Sequence, residues 1–131
     1  MSKVILVLED ERPLLEVIKT KLEKNDFEVV TARSADQAMN YLKDKVQVDA
    51  VWLDHYLLGK ESGLDFVAKM KHDGSAWRQI PIFVVSNTAS SDKVQSYLRL
   101  GVKKYFTKVD YRLDQIVADI KAFLEKPGGG E

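Results

Sequence analysis

At 131 residues and 14.9 kDa the chain is close to the ~150 residues of one domain and long enough for one real core. It has no cysteine, which excludes disulfide scaffolds, Cys-based zinc sites and thiol catalysis. Twenty basic and twenty acidic residues cancel, with no like-charged block at either end, so no direct nucleic-acid contact is expected.

The elements follow in chain order. Val4–Leu8 is the longest purely apolar run, against the ~20 residues a membrane helix needs, so no membrane partner is expected. It meets Glu9 and Asp10 in place of a secretory cleavage segment, and a cytoplasmic protein is expected. Residues 13–24 open with Pro13 and repeat Leu14, Leu15, Ile18 and Leu22 at helical spacing. Residues 27–31 form a shorter, more polar run, as in a strand near a sheet edge. Residues 34–45 start with Ser34 and have Gln37 three positions on, a capping box, then Ala35, Ala38, Met39 and Leu42 on one side. Residues 48–53 are nearly continuous in apolar side chains, as strands covered on both faces are. A short helix follows Gly63 at 64–71, with Phe66, Val67 and Met70 as its stripe.

Residues 80–85 form another continuous apolar run. Ser91–Leu100 is helical, with Val94, Tyr97 and Leu98, and Gly101 stops it. Residues 103–106 form a second edge-like strand. Residues 112–125 follow Asp110, expected to cap them, and carry the cleanest 3.6-residue stripe, from Leu113 to Leu124. Residues 127–131, Pro-Gly-Gly-Gly-Glu, read as a flexible tail after a domain of residues 1–126. Strand and helix thus alternate five times, which implies a parallel sheet with right-handed crossovers. Five units suit an open doubly wound α/β sheet and are too few for an eight-fold barrel.

Ligands of such sheets sit beyond the carboxyl ends of the strands. The first strand delivers Glu9, Asp10 and Glu11 to that edge, and the third delivers Asp54, His55 and Tyr56. The fourth delivers Ser86, Asn87 and Thr88, and the fifth delivers Lys108. The second ends in Thr31-Ala32-Arg33, which offers little. Clustered carboxylates repel one another unless a cation joins them. An oxygen-rich set suits Mg²⁺, which takes one or two carboxylates together with phosphate oxygens. Lys108 adds a compact positive charge for an anion, and Ser86 a neutral donor. The set describes a pocket for a divalent metal and a phosphoryl group, with a carboxylate as nucleophile.

Each residue alone has a plainer reading. Asp10 could cap the next helix, Ser86 could be a turn residue, Tyr105 a strand aromatic and Lys108 a solvated charge. His55 is expected to be an exposed loop histidine without a catalytic role. Trp52 and Trp77 are expected to pack, and Lys103-Lys104 to be solvated. What outweighs these readings is the ordered recurrence of the set at successive strand ends.

The set resembles the receiver domain of two-component response regulators over residues 3 to about 125. The matching residues are Glu9-Asp10, Asp54, Ser86, Tyr105 and Lys108. The resemblance implies a flavodoxin-like (βα)₅ fold of strand order 2-1-3-4-5. It implies that Asp54 accepts a phosphoryl group from a sensor histidine kinase, a phosphotransfer protein or a small phosphodonor. Glu9 (through water), Asp10, Asp54 and the carbonyl of Tyr56 would hold Mg²⁺. Ser86 and Lys108 would contact phosphoryl oxygens. Ser86 would move toward the phosphate and Tyr105 would turn inward behind it. That would alter the face of the fourth helix, fifth strand and fifth helix, for a downstream protein target, onward phosphotransfer or a homodimer.

Four departures qualify the resemblance. The first acid is Glu9 where the family often has Asp. Val109 follows Lys108 where proline, typically after a cis bond, is usual, so a trans bond is expected here because cis costs ~3 kcal/mol. Asn87 stands where a small residue is common, so it and Tyr56 are expected to modulate phosphoryl lifetime. Leu58-Gly59 replaces Met-Pro, and the late Gly63 suggests a slightly longer third loop. The domain is expected to be no enzyme beyond its own phosphotransfer and dephosphorylation. A phosphorylation-independent pseudo-receiver, or a receiver piece of a larger regulator or hybrid kinase, stays open. A dehalogenase-type phosphohydrolase fits less well, since its nucleophile would follow the first strand. A flavin carrier would need a phosphate-cradling loop that is absent there.

Overall fold

A computed structural model describes residues 2–87 and 90–125. Strand burial follows side-chain chemistry. β1 (Val4–Leu8), β3 (Ala50–Leu53) and β4 (Ile82–Ser86) are buried on both faces almost throughout. β2 (Glu28–Ala32) and β5 (Lys104–Thr107) are partly exposed, as edge strands are. All pairings are parallel, in the order β2-β1-β3-β4-β5. This is the expected flavodoxin-like arrangement.

Five helices cover the sheet: α1 (Arg12–Lys24), α2 (Ala35–Lys43), α3 (Gly63–Lys71), α4 (Ser91–Leu100) and α5 (Leu113–Glu125). One layer joins Ile18 and Leu22 of α1 and Ile116, Val117 and Ile120 of α5 to Ile5, Val7, Trp52, Phe83 and Phe106. The other joins Ala38 and Leu42 of α2, Phe66 and Met70 of α3 and Tyr97 of α4 to Leu6, Leu8, Val51, Leu53 and Val84. Alternation along each strand sends successive side chains to opposite layers.

Several ends differ from the sequence reading, each for a local reason. β3 starts at Ala50, and the Asp49 carboxylate before it accepts from Val4 N at 2.8 Å in place of a backbone carbonyl. β4 starts after Pro81, which has no N–H for the ladder. Ser34 caps α2 by accepting from Gln37 N, but the Gln37 side chain reaches back to Arg33 N rather than to Ser34. Asp65 accepts from Ser62 N at 2.8 Å, which fixes the start of α3 one residue earlier than expected. Asp110 does not cap α5; its carboxylate accepts from the Thr107 hydroxyl, and Gln115 accepts from Arg112 N at the helix start. Gly101 ends α4 at φ +102°, as glycine permits. Among the described residues no peptide bond is cis, the Lys108-Val109 bond included. No helix among them is long and apolar enough to cross a membrane. Thr88 and the tail 127–131 lie outside the described residues.

Candidate functional site

Strand register assembles the site. Leu8 pairs with both Ala32 and Leu53, so the residues after β1 and β3 emerge side by side. The ladder continues one step further, with Glu9 N donating to Ala32 O at 3.0 Å and Asp54 N to Leu8 O at 3.0 Å. On the other side Ser86 pairs with Thr107, and Lys108 N donates to Ser86 O at 2.9 Å. Backbone hydrogen bonds therefore bring distant stretches of sequence to one edge.

There Glu9, Asp10 and Asp54 each offer a carboxylate oxygen within 4.8 Å of the others. Three acids this close and only oxygen donors fit a hard divalent cation such as Mg²⁺. Lys108 closes the pocket from β5. Its Nζ lies 3.1 Å from Glu9 Oε1 and 3.8 Å from Asp54 Oδ2. Glu9 Oε2 also accepts from Glu11 N at 3.2 Å. Asp54 Oδ1 accepts from His55 N at 2.9 Å. The Ser86 hydroxyl hydrogen-bonds both the Asp54 carboxylate and the Tyr105 side chain.

The electrostatics follow from burial. Glu9 is 1% exposed and Asp54 5%. Burial pushes the Glu9 carboxyl up to about 7, helped by the Asp54 charge and opposed by Lys108. Burial also raises Asp54, against Lys108, the His55 N–H and the Ser86 hydroxyl. One ammonium does not offset three clustered carboxylates, two of them buried. At ~4 Å two unit charges interact by about 4 kcal/mol at an effective dielectric of 20. The pocket is under-neutralised and suited to a further cation.

The remaining expectations divide. Tyr56 is exposed, and its hydroxyl lies 3.5 Å from Lys93 Nζ of α4. Asn87 is exposed at the end of β4. Trp52 is fully buried among apolar side chains, although its Nε1 has no partner. Trp77 is partly buried.

Two residues depart from the sequence expectation. His55 is not an exposed loop histidine: it is 6% exposed, and its Nδ1 lies 2.6 Å from the Tyr97 hydroxyl. Burial lowers its pKa, with the Lys93 charge adding to the effect and Asp65 opposing it. Its direct succession to a buried strand was the available signal. Arg33, at the end of the second strand, has a role the sequence does not suggest: its Nε and Nη2 donate to the Asp10 carbonyl at 3.0 and 2.8 Å. Its own carbonyl accepts from Leu58 N at 2.9 Å. Arg33 therefore braces the acidic loop against the third loop, and no sequence spacing announces that contact.

Comparison with known proteins gives a consistent result. Residues 5–121 match the family model of the response regulator receiver domain. The chain is 33% identical over 126 residues to the phosphate regulon transcriptional regulatory protein PhoB of Escherichia coli (strain K12), covering 96% of this chain and 53% of that protein. It is 32% identical over 122 residues to the heme response regulator HssR of Staphylococcus saprophyticus, covering 92% and 51%. The chain thus spans about half the length of these curated relatives. Among solved structures, the Mn²⁺-bound form of response regulator Rcp1 matches with a TM-score of 0.82 and 26% identity, over 95% of this chain and 96% of that one. The phosphorylated cyanobacterial phytochrome response regulator RcpA matches with a TM-score of 0.79 and 28% identity, over 95% and 93%.

Proposed function

From the premise that the chain belongs to the response regulator receiver domain family, we propose that Asp54 is its phosphoacceptor. The observation that carries this reading is the buried Asp54 carboxylate, held between Lys108 and the Glu9-Asp10 pair with Ser86 against it.

Asp10, Asp54 and the Tyr56 carbonyl would hold Mg²⁺ directly, with Glu9 contributing through water because Lys108 already occupies one of its oxygens. The ion would offset the negative charge gathered by the acids and the incoming phosphoryl group. An Asp54 carboxylate oxygen attacks phosphorus, the bond from phosphorus to the donor's nitrogen or oxygen breaks, and the donor leaves with that electron pair. The His55 N–H keeps the other carboxylate oxygen oriented. Lys108 and Ser86 then bind phosphoryl oxygens. Hydrolysis of the acyl phosphate returns the carboxylate, and Tyr56 and Asn87, exposed at the rim, modulate how long that takes.

The domain works on itself and turns over no external substrate. A sensor kinase or phosphotransfer protein supplies the phosphoryl group. A protein target, or a second copy, reads the face of α4, β5 and α5. Two relatives are named for transcription or heme response, and this chain covers about half of each.

Intact mass after incubation with Mg²⁺ and a small acyl phosphate tests the reading. We expect one phosphoryl adduct on the unmodified chain, none on Asp54→Asn, and none in excess chelator. An unmodified chain that takes no adduct would make it a binding module that keeps only the fold.

A further inference from the structure

The reaction proposed for Asp54 leaves one buried polar pair without a role. His55 follows the phosphoacceptor directly, and Tyr97 lies in the middle of α4, fully buried. The His55 Nδ1 to Tyr97 hydroxyl distance is 2.6 Å, and the rings meet edge to face with centroids 5.7 Å apart. Both residues are buried, and among the described residues this is the hydrogen bond recorded for either atom. Leaving either unpaired in a dry interior is costly, so the two atoms move together.

Three further contacts tie this pair to the site. His55 N donates to Asp54 Oδ1 at 2.9 Å. The His55 carbonyl accepts from Gly63 N, the first residue of α3, at 2.9 Å. A Cβ added at Gly63 would stand 2.5 Å from the Tyr97 hydroxyl and 2.9 Å from the Asp54 carbonyl. The phosphoacceptor backbone, the start of α3 and the Tyr97 hydroxyl therefore crowd one point with no slack. On its other side the Tyr97 ring packs on Tyr105 at 5.7 Å between centroids, and Tyr105 hydrogen-bonds Ser86.

Phenylalanine would fill nearly the same volume at position 97, and an apolar side chain would pack at position 55. Core filling alone explains neither the hydroxyl nor the imidazole. We infer that His55 and Tyr97 are positioning residues: their hydrogen bond clamps α4 to the segment carrying Asp54, so a change at the Asp54 carboxylate reaches α4 through the His55 ring. This route runs beside the one through Ser86 and Tyr105 and rests on the reading of Asp54 as phosphoacceptor.

The test uses the full chain as Tyr97→Phe, His55→Leu and the double variant. Amide NMR spectra are recorded before and after Mg²⁺ with beryllofluoride, a phosphoryl-shaped anion. In the unmodified chain, amides of 54–63 and of α4 should both shift. In Tyr97→Phe the 54–63 shifts should persist while those of α4 fall by about half, and the double variant should respond like either single, since the two side chains form one link. A variant that only loses stability would keep the α4 response. An unchanged α4 response, or additive single effects, overturns the inference. If the unmodified chain shows no shift, the phosphoacceptor reading fails, and so does signalling through this link. The clamp itself is then read in the metal-free chain, where both single variants should speed hydrogen exchange of α4 and of 54–63; unchanged exchange would overturn the clamp as well.

Discussion

The two faces of the sheet are built differently. The layer under α1 and α5 is built from apolar side chains, and among the described residues its orphan buried side-chain atom is Trp52 Nε1. The layer under α2, α3 and α4 includes Tyr97, whose hydroxyl bonds His55 beside the site, and packs against Tyr105, which bonds Ser86. Both layers bury aliphatic side chains alike, so both contribute to stability. In the second, the bonds of Tyr97 and Tyr105 lead toward the carboxylates. Apolar packing holds a fold without favouring one arrangement of polar atoms, whereas hydrogen bonds fix which groups move together.

The largest effect separates the layers by stability. Ile120→Ala, in the apolar layer, should cost about 3 kcal/mol by denaturant unfolding and leave Mg²⁺ affinity unchanged. A tenfold change in affinity would show that this layer also shapes the site. The next concerns the acids. Glu9 rises from 4.5 to about 7 on folding, so the folded chain holds that proton more tightly than the unfolded chain does. The resulting stability is present in full below pH 4.5 and is lost as pH rises through about 7. The metal-free chain should therefore unfold at higher denaturant at pH 6 than at pH 8, by at most ~1.4 kcal/mol per pH unit from this group. Glu9→Gln should flatten that difference, and a slope unaltered by the substitution would assign it to other groups. A smaller effect should follow Arg33→Ala. Freeing the Asp10 carbonyl should weaken Mg²⁺ binding about tenfold by calorimetry with little loss of stability. Equal affinity would mean the acidic loop holds its shape unaided.

Much of this was legible in the amino-acid order. The runs at Val4–Leu8 and around Ala50–Leu53, with Gly101 and the stripe of α5, are local patterns, and local patterns set elements directly. The acids, Ser86 and Lys108 were legible because they sit immediately past strand ends, where the edge of such a sheet must present them. The differences have two causes, one local and one long-range. Spacing alone suggests Asp110 as a cap, but the nearby Thr107 hydroxyl donates to its carboxylate instead. His55 looked solvated, and Arg33 looked idle, because their partners lie 42 and 23 residues away.

The order of residues by itself determined the alternation of strand and helix, which strands lie at the edges, and which side chains reach the carboxyl edge. Those follow from periodicity and from the two-sided burial of parallel strands. Tertiary structure alone decided that Tyr97 would meet His55, that Arg33 would hold the Asp10 carbonyl, and that Glu9 would be buried deeply enough to keep its proton near neutrality. Such contacts depend on side-chain direction and on what water can reach, and both are set only once distant segments have packed.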